Sequence, residues 1–216
     1  MYLRDYQGGF SSGGATNLTA YTNWITTVAA MIRNRKCIVV LEPDALPGLD
    51  ALPVLEQTNR LNLLRYAVDV LYRIPNVTAY VDAGHPHWKN AATMATRLRS
   101  IGIEKVRGFS LNISNFIRTE ECAAYGREIS RQIGDKHFII DVSRNGQGPT
   151  SDYEWCNPPD RGLGRMPTLE PNIPFVDALL CLKYPGESDG TCNGGPPAGT
   201  WDPTYALGLA LRENLD

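Results

Sequence analysis

Charge of one sign is missing from this chain: 21 Lys+Arg stand against 23 Asp+Glu, for a formal net charge of −2. No basic field is available to hold a nucleic-acid backbone or an anionic membrane face. Long apolar runs are missing too. The longest aliphatic stretch, Cys37 to Leu41, is about five residues, against the ~20 that a spanning helix requires, and no basic segment leads into an apolar block at Met1. The expectation is a soluble chain with no targeting segment, no membrane partner and no nucleic-acid partner. There is no G-x-S-x-G to support a serine nucleophile. The glycine pairs Gly8-Gly9, Gly13-Gly14 and Gly194-Gly195 lack the following Lys-Ser/Thr of a phosphate loop. Glycine and proline, by contrast, are plentiful at 20 and 15 of 216 residues, which implies many turns rather than a helical bundle. A hydrophobic share of 43% is enough for one core, and a single domain over 1–216 is expected.

Five cysteines leave at least one unpaired. Cys37, in CIVVL, and Cys181, in ALLCLKY, read as buried core thiols, and Cys122, in a helical pattern, reads the same way. Cys156 and Cys192 lie in Gly-, Pro- and Asn-rich loop sequence, where little apolar surface would bury a free thiol. A disulfide between them would close a loop of roughly 37 residues and stabilise by about 4 kcal/mol, which favours an oxidising, extracellular setting.

Apolar runs read as strands at 37–46, 76–84, 106–114, 137–143 and 178–184. Helical patterns fall between or around them at 19–33, 54–72, 90–101, 119–134 and 203–215, the first capped by Asn17 or Thr19. Strands alternating with long helices require parallel crossovers, hence an α/β fold with a parallel sheet. Closure toward a barrel is favoured because polar residues follow nearly every strand: Glu42 and Asp44, Asp82 and His85, Asn112 and Asn115, Asp141 and Arg144, Lys183 and Asp189. In parallel α/β folds the site is built at these carboxyl ends.

LEPDALP sets two carboxylates, Glu42 and Asp44, around Pro43, which is expected to keep Glu42 extended. YVDAGHPHWKN gathers Asp82, His85, His87 and Trp88, and KYPGESDGTC gathers Lys183, Glu187 and Asp189. Two chemistries fit. Asp82, His85 and His87 are ligand-type side chains at short spacing and could hold a metal. Alternatively, paired carboxylates could flank a glycosidic bond, with Trp88, Trp155 and Trp201 offering flat faces to sugar C–H surfaces.

The stretches LEPDALP, YVDAGHPHW, FSLNISNF, FIIDVSRNGQGP, EWCNPPDRGLG and LKYPGESDGTCNGGPPAG resemble, in order and over nearly the whole chain, glycoside hydrolase family 6, the cellulases that cleave β-1,4-glucan with inversion. The resemblance implies a distorted, incomplete parallel β/α barrel (TIM-like, about seven strands in the family). It implies Asp44 as general acid, Asp5 of LRDY as the acid that supports it, and Asp189 as general base. His85, Trp88, Asn112, Trp155, Lys183 and Glu187 match sugar-contacting positions, with Trp88 on the leaving side and Trp155 on the other. Neither metal nor cofactor is implied, and the expected ligand is a β-1,4-glucan chain bound by a monomer. For inversion the two carboxyls should stand ~6.5–9.5 Å apart, with Asp44 raised above about 3.9 by burial or by the charge of Asp5.

The chain also departs from the family pattern. Tyr6 replaces the cysteine that follows the family's supporting aspartate, and no cysteine lies between Asp44 and Leu71, so one family disulfide is absent while Cys156–Cys192 is retained. The first strand and most of the second have no counterpart, nor has a sugar-contacting tyrosine, so an incomplete barrel is expected, with a non-catalytic glucan-binding role as the alternative outcome. Only about ten residues separate Asp189 from Trp201, too few for a tunnel roof. An open cleft and internal cleavage are therefore expected rather than release of cellobiose from chain ends.

Overall fold

The computed structural model describes residues 1–4 and 13–214. Helix α1 (Leu18–Ile32) starts at Asn17, whose side chain accepts a hydrogen bond from Ala20 N at 2.8 Å, one of the two caps expected. Next come β1 (Cys37–Leu41), α2 (Val54–Tyr72), β2 (Val77–Asp82), α3 (Ala91–Ser100), β3 (Gly108–Leu111), α4 (Thr119–Gln132) and β4 (His137–Asp141). The chain closes with β5 (Val176–Leu180) and α5 (Pro203–Leu211). All four strand pairings are parallel, in the order β1-β2-β3-β4-β5. The sheet curls into a half-barrel, as the alternation of strands and helices implied.

Period-two alternation gives the sheet two working faces. Val81, Phe109, Phe138, Ile140 and Leu179 point outward and pack with Leu64, Val68, Met94, Leu98 and Ile129 of the helices in the main core. On the concave side Tyr80, Ile139 and Ala178 form a second cluster with Val40, Leu180 and Leu182. One connection breaks the pattern. Residues 142–175, between β4 and β5, contain no helix among the described elements, because six prolines interrupt the segment and each removes a backbone donor.

Three expectations are corrected. Cys122 is fully buried, but Cys37 is only partly buried and Cys181 is exposed. Cys37 opens an edge strand, and Cys181 lies just past the end of the other edge strand, so neither is covered on all sides. The first strand ends at Leu41 instead of 46. The reason is the conformation of Glu42, which is not extended: Glu42 and Asp44 both have positive φ, 53° and 72°, on either side of Pro43. Proline constrains the residue before it without fixing that residue's φ, and a tight turn takes over here.

Candidate active site

Asp44 sits in that turn. Ala45 N donates to Glu42 O at 3.1 Å and Gly48 N to Asp44 O at 2.9 Å. The turn directs Glu42 into the protein, where it is buried, and leaves Asp44 exposed. Two non-glycine residues in the left-handed region cost of order 1–3 kcal/mol each, and such strain persists where surrounding contacts over-determine it. Those contacts are present. Arg97 Nη1 donates to Leu46 O at 2.6 Å and to Pro47 O at 3.2 Å, and Arg60 Nη1 lies 3.4 Å from Ala45 O. Asp44 N itself donates to Asp82 Oδ2 at 2.9 Å.

Asp82, at the end of β2, is 1% exposed. Burial and the nearby charge of Asp44 push its carboxyl well above the ordinary carboxylate range, against partial relief from Asp44 N, Gly84 N and Ser110. Asp5, the like charge expected beside Asp44, lies outside the described residues.

Gly84, at φ +68°, lets the chain turn under Pro47 and Trp88: a Cβ there would stand 2.8 Å from Pro47 Cγ and 3.3 Å from Trp88 Cε3. Trp88 is 37% exposed and forms one wall of a shallow pocket of about 160 Å³ with Pro47, Gly48 and Lys89. His85 packs against it, ring centroids 5.8 Å apart. Burial and the neighbouring His87 push the His85 imidazole down to about 4, so the ring is neutral at pH 7, and its buried Nδ1 has no partner among the described residues. His87 turns away to Glu121, at 2.9 Å, and stacks on Tyr153 at 4.2 Å. The metal arrangement of Asp82, His85 and His87 is not formed: among the described residues no three His, Cys, Asp or Glu side chains could hold a metal ion.

Beyond the other edge of the sheet, Asp189 is enclosed by cations. Arg144 Nη1 donates to Oδ2 at 2.8 Å and Arg144 Nη2 to Oδ1 at 3.2 Å, while Lys183 Nζ stands 3.4 Å from Oδ1 and from Glu187 Oε2. The Arg144 side chain is fully buried, with its guanidinium 4.4 Å from the ring centroid of Phe116. This bidentate clamp fixes the orientation of the carboxylate. Backbone and side chain of Asn157 add a reciprocal pair, Asn157 N to Asp189 Oδ2 at 3.1 Å and Asp189 N to Asn157 Oδ1 at 2.8 Å. Cys156 is joined to Cys192, with Cα atoms 6.0 Å apart, as expected from the sequence. Together these links fix the segment of Trp155, which is 49% exposed, to the Asp189 loop.

The side chain of Asn112 is fully buried and donates to Ile117 O at 3.1 Å and Asp141 O at 2.9 Å, while accepting from Ile117 N at 3.0 Å. It ties the end of β3 to β4. Trp201, 58% exposed, pairs across from Glu187 in an antiparallel bridge. The sequence placed Asp141 and Arg144 at a strand end without an individual role for either. The buried Asp141 carboxylate accepts from Ser114 N, Ser143 N and Leu182 N and so joins the loops after β3, β4 and β5.

A parallel half-barrel with polar residues gathered beyond its strand ends defines the class of distorted, incomplete α/β barrels. The chain belongs to the glycosyl hydrolases family 6, whose family model matches residues 3–213. It is 45% identical to endoglucanase A of Cellulomonas fimi, over 94% of this chain and 44% of that protein. With endoglucanase 1 of Streptomyces halstedii it shares 41% identity over 95% of this chain and 65% of that one, so it spans less than two thirds of either relative. The solved structure of the endoglucanase Cel6 from Mycobacterium tuberculosis, in complex with methyl-cellobiosyl-4-deoxy-4-thio-β-D-cellobioside, superposes with a TM-score of 0.94. That likeness has 45% identity and covers 97% of this chain and 72% of that one.

Proposed function

We propose that this chain hydrolyses internal β-1,4-glucosidic bonds of cellulose or related β-glucans with inversion, Asp44 acting as general acid and Asp189 as general base. The observation that carries the reading is electrostatic contrast. Asp189 is clamped by Arg144 and Lys183, and Asp44 lies exposed against the buried carboxyl of Asp82, whose affinity for a proton is raised. A carboxyl set between fixed cations and an exposed carboxyl set beside a second carboxyl are suited to different roles. Asp44 would protonate the departing glycosidic oxygen while Asp189 takes a proton from the water attacking the anomeric carbon on the opposite face. Asp5 would assist Asp44. Trp88 and Trp155 would carry sugar rings on the two sides of the bond, with neutral His85, Lys183 and Glu187 as hydrogen-bonding partners.

An open cleft is supported by the short loop after Asp189, which folds straight back: Ser188 N donates to Thr200 O, and Gly199 N to Ser188 O, both at 2.9 Å. The disulfide supports an extracellular setting, and a monomer is the simplest assembly for binding one glucan chain. Reducing-sugar release from carboxymethylcellulose, with and without a chelator, tests the whole reading. Turnover that survives chelation, falls in Asp44→Asn and initially yields the α-anomer supports it. Binding without turnover makes the chain a glucan-binding protein, and cellobiose as the sole early product makes it a chain-end enzyme.

A further inference from the structure

We propose that Arg60 is a positioning residue for protonation of the leaving group, locking the root of the segment that bears Asp5 to the turn that bears Asp44. The inference rests on the catalytic reading above. Arg60 projects from α2 and is 5% exposed, and burial lowers its proton affinity. Among the described residues its guanidinium has no carboxylate within ion-pairing distance. It donates instead to main-chain carbonyls, from Nη2 to Tyr2 O and Leu3 O, both at 2.8 Å, with Nη1 3.4 Å from Ala45 O. Leu3 lies two residues before Asp5, and Ala45 directly follows Asp44.

The same root is secured from its other end. Ala15 N donates to Met1 O at 3.0 Å, and Tyr2 pairs with Ala15 in a parallel bridge. Gly14, at φ +92°, packs so tightly that a Cβ would stand 2.6 Å from Met1 O and 2.9 Å from Arg4 Cβ. Tyr2 OH adds a bond to Glu56 Oε2 at 2.6 Å, one turn before Arg60 on α2. Residues 1–3 are therefore tied both to Gly14 and Ala15 and to α2, and Arg60 reaches from that helix to the acid's turn. Burying a guanidinium that hydrogen-bonds to carbonyls is costly, and the charge of nearby Glu42 offsets only part of that cost. An apolar residue would fill the space without joining the two segments, so alignment is what the arginine adds.

The test separates alignment of the acid from general support of the fold. Arg60→Met and Arg60→Lys are compared with wild type and Asp44→Asn on carboxymethylcellulose and on 2,4-dinitrophenyl β-cellobioside, whose leaving group departs without a proton. In Arg60→Met, kcat on the polymer is expected to fall at least about tenfold with KM within about twofold, while kcat on the activated substrate falls less than about threefold. Arg60→Lys, which keeps the charge but not the fork, should recover part of the loss. If Arg60→Met does not fold, Arg60→Lys read against wild type carries the same contrast. Equal losses on both substrates, or none on either, overturn the proposal. If Asp44→Asn is as active as wild type on the polymer, the catalytic reading falls and takes this proposal with it. A loss in Asp44→Asn with normal Arg60 variants sinks the proposal alone.

Discussion

The turn after β1 and the loop after β5 use the same side chain in opposite ways. At Asp189 a buried arginine grips the carboxylate itself, and a lysine stands beside it. At Asp44 two arginines, Arg60 and Arg97, grip the carbonyls of residues 45–47, and Asp44 N donates to another carboxylate, Asp82. A guanidinium aimed at an oxygen anion stabilises charge. Aimed at peptide carbonyls, it fixes the main chain and leaves the carboxyl's proton affinity to its neighbours. The fold thus holds one carboxylate by its own oxygens and mounts the other through its main chain, without differing in residue type.

Exchanging the two aspartates for amides breaks the comparison most directly. Asp44→Asn is expected to lower kcat on carboxymethylcellulose by about 10²–10⁴-fold, the usual worth of a general acid. It should do far less on the dinitrophenyl substrate. Asp189→Asn should lower both, because the attacking water loses its base whichever group leaves. Equal profiles for the two variants would mean that the acid and base assignments are wrong.

Next in size is removal of the clamp. Arg144→Met leaves Asp189 beside Lys183 alone and empties a fully buried position, and breaking a buried pair costs about 3–5 kcal/mol. Denaturant unfolding should register that loss, and kcat should fall about 100-fold. Arg97→Met, on the acid side, takes a largely buried arginine from carbonyls and from exposed Asp50, so it should cost about 1–2 kcal/mol. A larger loss from Arg97 than from Arg144 would reverse the order of the two regions.

The disulfide sharpens the contrast spatially. Replacing both Cys156 and Cys192 by Ser should lower stability by about 4 kcal/mol. Amide hydrogen exchange should rise over residues 154–158 and 188–195, which the bridge and the Asn157–Asp189 bonds hold together. Exchange at Asp44 and Ala45, held through β2 and α2, should stay as in wild type.

What was legible in the sequence follows from the reach of each signal. The order of strands and helices was local and could be read: apolar runs such as CIVVL and HFIID alternate with three-to-four spacing in α2 and α4, and Asn17 announces α1. The retained disulfide and the cation-flanked Asp189 were readable because KYPGESDG packs its charges into a few residues. The bonds of Asn112 to Ile117 and Asp141 were not legible, since an amide at a strand end serves a cleft or the backbone equally well and tertiary contacts decide. Arg144 was passed over because its partner lies 45 residues away. Glu42 was misread because proline chemistry alone does not set the preceding φ once a buried aspartate from another strand bonds to the turn.

The smallest effect concerns pH. Asp82 has a folded-state proton affinity raised above that of the unfolded chain, so between about pH 4 and the raised folded value the folded state binds more protons than the unfolded one. Stability contributed by this site is therefore present at low pH and declines as pH rises through that window. Asp141, raised by burial, acts in the same direction. Asp82→Asn keeps an oxygen to accept from Asp44 N and removes the titration. The wild-type unfolding free energy should drop from pH 4 to pH 7 more steeply than that of the variant, by about 1.4 kcal/mol for each unit by which Asp82 is raised. Urea titrations at pH 4, 5.5 and 7 read the difference directly. Parallel slopes would mean that Asp82 ionises as easily in the folded protein as in the unfolded chain, and the like-charge neighbour assigned to Asp44 would be lost.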